Sequence, residues 1–450
     1  MTALAFPLAV LLGWALVRAL RPAPESGPAW ARVLLEWSLG ASVGIGLSSL
    51  MYFVLLWAGV ANRGLVLAAE AALLVLFLVA GGGRRRAGGS ARLSTVECVL
   101  LPVLLVGLVP VALGWKALVE ARPHGQWDAF AIWNLRARYL AGADGAWRHA
   151  VSPELVYTRP DYPLLIPAFV AGAWSAAGDQ EPSTAVPIAL AAIFATSAMG
   201  LLISSVALLQ GAGPAMLAGL VMLSGRSWLF ESASLGADVP LSFYLLAALA
   251  LILLADRRRG PLLLAGLAAS LAAWTKNEGS VFLALVLGLF PLIDRGRWIH
   301  LAAGAAPGTL LVLGFKLFLA PANYLATAQS TAGALSQLLE ADRYGAIAKQ
   351  FGIVLLGFGQ GLFHPLALLA LVAAAHGMRR GWFGDPRWRF AAALISLLAA
   401  SYLGVYLVTP FDVRWQVSTS MARLACQLWP AALLIAFRSL RPPVETAPPA

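Results

Sequence analysis

Long apolar runs, separated by short clusters rich in Arg and Pro, recur along most of the 450 residues and constrain this chain more than any other feature. About 20 consecutive apolar residues cross the hydrocarbon core of a bilayer as a helix. A helix is favoured there because it satisfies its own backbone N–H and C=O groups where water is absent. With 60% hydrophobic and only 12% charged residues, and a mean hydropathy of +0.79, the chain cannot cover itself with polar surface in water. A soluble domain is excluded, and the expected fold is an all-α, polytopic transmembrane helical bundle.

Apolar runs at 3–20, 33–60, 65–81, 96–119, 184–209, 215–230, 238–255, 261–275, 278–293, 301–319, 352–376, 389–408 and 424–438 make about 13 spans. The run Ala3 to Val17 lacks a basic start and a small-residue cleavage site, so it reads as the first span rather than a signal peptide. The net charge of +11 suggests a nucleic-acid partner, but its placement argues against one. Arg84 to Arg86, Arg257 to Arg259, Arg295 with Arg297, and Arg379 with Arg380 each end an apolar run, as in cytoplasmic loops facing anionic lipid. Cys98 and Cys426 show no metal spacing and read as small apolar residues.

Placing 18–32, 82–95, 256–260, 294–300, 377–388 and the tail after Arg438 inside leaves the N-terminus outside. The short, Pro-containing run 163–178 breaks this parity if it spans, so it is expected to re-enter or lie along the outer face. The segment 120–183 is then a large external loop carrying interfacial helices, joined outside by 320–350 and 409–423. Loops of such length usually carry function. The Pro-rich tail 441–450 is too polar to fold.

Five stretches on that face carry groups suited to chemistry. In 125–140, Asp128 precedes a helical pattern with Phe130, Trp133, Ala137 and Leu140 on one face and Arg136 and Arg138 to either side. Asp128 also suits a helix N-cap. The stretch 157–167 holds Arg159, Asp161 and Tyr162, which a Pro-rich turn alone would explain. Asp238 opens a span, where the helix dipole favours a carboxylate. Lys276, one of four lysines, interrupts apolar sequence with Asn277 and Glu278; either a plain interhelical loop or a functional site fits. Asp412, Arg414, Trp415, Gln416 and Arg423 close the set.

The order WDAFAIWNLRAR, RPDYPLLIP, ADVPLSFYLL, WTKNEG and TPFDVRWQVSTS resembles bacterial glycosyltransferases of the GT-C fold, in the protein-mannosyltransferase-like and lipid-A-sugar-transferase-like group. The resemblance covers about 96–438 as a catalytic transmembrane domain, with 1–95 as extra N-terminal helices and 439–450 as a cytoplasmic tail. It implies a multi-pass protein of the bacterial inner membrane with an extracytoplasmic active site. Asp128 matches the family's catalytic carboxylate; Asp161, Tyr162 and Asp238 match later motifs. The loop has WD in place of the acidic pair of protein mannosyltransferases, and Gln416 stands where close relatives have His.

The implied donor is a polyprenyl-phosphate sugar and the acceptor a hydroxyl of a glycan, lipid or protein. Asp128 would act as base. Arg136, Arg138, Arg159, Lys276, Arg414 and Arg423 would meet the leaving phosphate, and a single displacement would invert the anomeric centre. A divalent metal, Mg or Mn, at Asp128, Asp161 and Asp238 would share the phosphate charge. Two other classes fit the same residues: a transporter using Lys276 and Glu278 as an intramembrane site, and a non-catalytic membrane assembly protein.

Overall fold

The computed structural model describes residues 2–81, 95–142, 145–177, 182–323, 327–328, 330–359 and 363–441. The cluster Arg84 to Arg86 and the tail beyond Arg441 lie outside them. Among the described residues the chain is all helix, with one isolated β-bridge between Met378 and Leu440. Seven stretches are long and apolar enough to cross a membrane, and shorter apolar helices accompany them.

The helices are α1 (Thr2–Leu20), α2 (Ala29–Trp57), α3 (Arg63–Gly81), α4 (Thr95–Ala121), α5 (Leu135–Ala141), α6 (Leu165–Ala177), α7 (Ala185–Gln210), α8 (Ala212–Leu223), α9 (Arg226–Ser232), α10 (Asp238–Leu254), α11 (Gly260–Thr275) and α12 (Asn277–Leu289). A short turn leads into α13 (Trp298–Phe318); then follow α14 (Ala341–Gly357), α15 (Pro365–His376), α16 (Pro386–Leu407) and α17 (Val413–Arg438).

Helix α10 is the axis. Its sequence is apolar around the whole circumference after Asp238, and every residue from Asp238 to Leu254 is buried. A helix apolar on all sides belongs at the centre; α7, α11 and α17 surround this one. The opposite extreme is α4, whose apolar window is only 6% buried and which presents Val103, Val106 and Leu113 outward. So much exposed apolar surface is stable against lipid and not against water.

The boundary expected at residue 95 runs through one continuous core. Tyr244 of α10 donates to the Ser42 carbonyl at 2.7 Å, Trp274 Nε1 donates to Ser49 Oγ at 3.1 Å, and Phe53 packs on Trp274 and Phe315. Helix α2 is therefore part of the same bundle as the chain that follows it.

The basic loops meet at one end. Arg258 donates to the Arg21 carbonyl at 3.0 Å, Arg387 to the Asp256 carbonyl at 3.0 Å, and the Arg379 N–H to the Ser439 carbonyl at 2.9 Å. The described residues of 120–177 meet 232–238, 275–278 and 409–423 at the other. Helix α6 has 13 residues, about 20 Å at 1.5 Å per residue. Ser49 donates to the Leu165 carbonyl at its start, and Trp174 near its end donates to the Ser183 carbonyl just before α7. It is a buried helix of the non-basic end.

Three boundaries differ from expectation. The span 215–230 is broken between α8 and α9 at Ser224 and Gly225. The span 352–376 is two helices: α14 begins earlier, at Ala341, and ends at Gly357, and α15 starts anew on Pro365. Helix α17 starts eleven residues before the expected 424. There Asp412 caps it, its Oδ1 accepting the Trp415 N–H at 2.7 Å.

Single cysteines test the arrangement in a background with Cys98 replaced. Tyr157→Cys and Ala185→Cys, both exposed, are expected to react with an impermeant thiol reagent from the same side, and Arg257→Cys from the other. Labelling of Ala185→Cys from the side of Arg257 would mean that α6 spans.

Candidate functional site

The non-basic end is assembled from chain crossings. The Gln126 N–H donates to the Ser234 carbonyl at 3.0 Å, holding the start of the 120–183 loop beside the tip of α10. Gly125 permits this approach: its φ is +78°, and a Cβ would stand 2.5 Å from that same carbonyl. Past it, Asp128 has helical angles but its side chain caps nothing; it pairs instead with Arg423 of α17. The expected capping role is thus replaced by an ion pair between elements far apart in sequence.

The following turn, Ala129–Asn134, is a π-helix that runs into α5. Its wider i→i+5 pattern alters the expected apolar face. Trp133, Ala137 and Leu140 are buried as anticipated, but Ile132 and Arg136 join them while Phe130 is 45% exposed beside Trp127.

Asp238 sits at the centre. Its Oδ1 accepts from Lys276 Nζ at 2.9 Å and from Gln427 Nε2 at 2.5 Å, and its Oδ2 lies 4.0 Å from Arg423. Lys276 occupies the break between α11 and α12 in extended conformation and also pairs with Glu278 at 3.1 Å. The break is tight: a Cβ on Gly279 would stand 1.9 Å from the Ala272 carbonyl. Tyr402 of α16 donates to Gln427 Oε1 at 2.6 Å. Side chains of Asp238 and Lys276 are each 5% exposed, so each charge depends on the other.

Glu231 of α9 completes this group. Its burial, together with Asp238, pushes its carboxyl up to about 8. Neither it nor Gln427 nor Tyr402 stands out in the sequence; the one signal for Glu231 is an acidic residue seven positions before Asp238 in an apolar context.

A second cluster adjoins. Asp161 Oδ2 accepts from Asn277 at 2.7 Å and from Asn323 at 2.8 Å, while Lys316 bonds the Asp161 carbonyl and reaches Asn277 Oδ1 at 2.7 Å. Tyr162 joins the clusters, its ring 5.9 Å from Lys276 Nζ and stacked on Trp133 at 5.9 Å. Burial, and Glu278 nearby, push its phenol well up.

The expected phosphate cations divide. Arg136 is fully buried and donates to the carbonyls of Ala150, Arg159, Pro160 and Tyr162 at 2.8–3.3 Å. With those bonds it shapes the loop, which corrects the role expected for it. Arg159, at φ +50°, lies over the Phe411 ring at 5.7 Å. Arg138 and Arg414 are exposed at the same end. Gln416 accepts from the Thr409 hydroxyl within its own segment. Only Arg423 and Lys276 stand in the central network.

The expected metal set does not fit. Among the described residues no three His, Cys, Asp or Glu side chains gather as ligands. Asp128 and Asp238 face Arg423 and Lys276, and Asp161 faces amide N–H groups. A divalent cation there would meet fixed positive charge. Two groups are left over: Glu278 Oε2 and Arg423 Nε are buried without a hydrogen-bond partner among the described residues. A buried oxygen and a buried N–H held in this way can receive a polar ligand. Comparison with family models, with characterised proteins and with solved structures finds no match to this chain.

Glu231→Gln is expected to fold as well as the parent at pH 7, because amide and protonated carboxyl are alike in shape and charge. With its folded carboxyl raised to about 8, the folded parent binds the extra proton, so its stability falls as pH rises from about 4.3 toward that value. Thermal unfolding between pH 5 and 8 should show the variant gaining on the parent; parallel curves would mean Glu231 is ionised throughout. Lys276→Met leaves Asp238 without its closest cation and should cost about 3–5 kcal/mol.

Proposed function

We propose that this chain is a membrane glycosyltransferase of the GT-C type, with about 13 crossings, in the bacterial inner membrane. It would move a sugar from a polyprenyl-phosphate carrier to a hydroxyl of an extracytoplasmic glycan, lipid or protein, with inversion. The reading rests on one observation: Asp128, 30% exposed, is held against Arg423 in a network of carboxylates and cations drawn from separate segments at one end of the bundle. A transfer at the membrane surface needs a base and positive charge side by side, and this network holds both.

In this mechanism Asp128 takes the proton of the acceptor hydroxyl, whose oxygen attacks the anomeric carbon. The bond from that carbon to the phosphate oxygen breaks, and the lipid phosphate leaves as an anion without needing an acid. Arg423 and Lys276 receive it, with Arg138, Arg159 and Arg414 at the rim. The arriving phosphate competes for Arg423, which frees Asp128 to act as base. Asp161 and Tyr162 line the approach, while Asp238, Glu278 and Gln416 hold their neighbours in place. Lys276 and Glu278 belong to the same network as Asp128, which favours a transferase over a transporter with a separate mid-bundle site.

Asp128→Asn is the test. The pair with Arg423 is part-exposed, so stability should fall by about 1 kcal/mol or less. Transfer from a synthetic polyprenyl-phosphate sugar should fall about 100-fold. A folded variant working at the parent rate would remove Asp128 as base. Arg138→Gln and Arg414→Gln should weaken donor use and leave thermal stability unchanged; full donor affinity in both would limit the phosphate site to the central cations.

A further inference from the structure

At the Arg-rich end a cavity of about 340 Å³ opens between the end of α10, the turn after α12, the start of α16 and the end of α17. That volume is in the range of small-ligand pockets. One wall is apolar, formed by Leu253, Leu262, Phe290 and Ile293. The lining also carries Arg297, Arg387 and Arg438 with Asp256, Asp294 and Asp385.

The acidic groups already have partners: Asp256 lies near Arg258. Asp294 accepts from Arg297 Nε at 2.6 Å, and Asp385 Oδ1 caps α16 by accepting the Arg387 N–H at 3.0 Å. Arg297 is matched by Asp294 and by the Asp256 carbonyl. Arg438 pairs with Asp385 at 3.5 Å, while Arg387 has no carboxylate within ion-pair distance among the described residues. Among the described residues the Arg387 guanidinium makes one hydrogen bond, to the Asp256 carbonyl at 3.0 Å, and that of Arg438 makes one, to Asp385 Oδ2 at 3.5 Å. Each has five N–H donors. Arg379 adds a further positive charge near Arg438. Guanidinium donors from two helices are thus left to bridge an anion with several acceptor oxygens.

The surroundings bear on where such an anion comes from. Trp298 and Phe383, 37% and 62% exposed, flank this end, and Trp382 stacks on Phe383. Exposed aromatic rings of this kind mark the headgroup level of a bilayer. Basic pockets between helices at that level suit lipid phosphate.

We propose that this cavity binds the phosphate group of an anionic lipid, with Arg387 and Arg438 as its donors and the apolar wall beside its chain. The purified full chain in neutral detergent is titrated with dioleoyl phosphatidic acid, dioleoyl phosphatidylcholine or inorganic phosphate, and thermal unfolding is followed. Phosphatidic acid should stabilise the parent, and its apparent affinity should fall about tenfold or more in Arg387→Gln/Arg438→Gln. Arg295→Gln, an exposed cation of the same end outside the cavity wall, should bind as the parent does. If the double variant does not fold, Arg387→Gln alone should show the same direction, since it loses one bond to a turn carbonyl. Equal stabilisation by phosphatidylcholine, or an equal loss in Arg295→Gln, overturns the site. An effect of inorganic phosphate matching that of the lipid, and lost in the double variant, overturns the lipid source and assigns the cavity to soluble phosphate compounds.

Discussion

The buried pair of Lys276 and Asp238 is the interaction on which the non-basic end depends. It joins the tip of the central helix to the break between α11 and α12, and Gln427 brings the last helix to the same carboxylate. Neither charge can be left alone at 5% exposure. Once the pair is formed, Arg423 is carried to within reach of both Asp238 and Asp128, and the external loop gains its anchor. The neighbouring Asn277 follows directly in the chain and fixes Asp161. Two clusters of polar groups are therefore positioned by one short stretch, 276–278, whose turn is tight enough to require glycine at 279.

Much of this was legible in the sequence because polar residues in apolar surroundings are conspicuous. Asp128, Asp238, Lys276, Glu278 and Arg423 were brought together by sidedness alone, and the structure gathers them into one network. What could not be read were partners whose residue types are common. Gln427 and Tyr402 look like ordinary polar positions on apolar helices, and only their packing against Asp238 makes them part of the site. The start of α17 looked like a loop because it is rich in Ser, Thr, Arg and Gln; Gln416, Ser420 and Arg423 there bond to Thr409, Tyr406 and Asp128. Arg136 misled for the converse reason: its charge suggested a ligand, while its partners are backbone carbonyls of its own loop. A π-turn likewise leaves no periodic trace, so the exchange of Phe130 for Ile132 on the buried face was invisible.

The two ends of the bundle treat charge differently. At the non-basic end charges are buried and matched across helices, which fixes geometry at the cost of desolvation. At the Arg-rich end they lie nearer the surface and chiefly grip carbonyls of neighbouring loops, as Arg258 grips those of Arg21 and Ala23. Such contacts gain from anionic surroundings and cost little where water remains. The same residue type thus serves as an internal strut at one end and as a basic rim at the other.

The complete enclosure of α10 has a consequence for how the molecule is built. A helix with no face of its own turned outward reaches its final surroundings only after every neighbour has been laid down, and one of them, α17, is the last helix of the described chain. Without α17, Asp238 has Lys276 as a partner but neither Gln427 nor Arg423. Addition of α17 completes both the enclosure of α10 and the set of partners of the carboxylate. Chains cut short before residue 413 retain most of their apolar segments and lack these closing contacts.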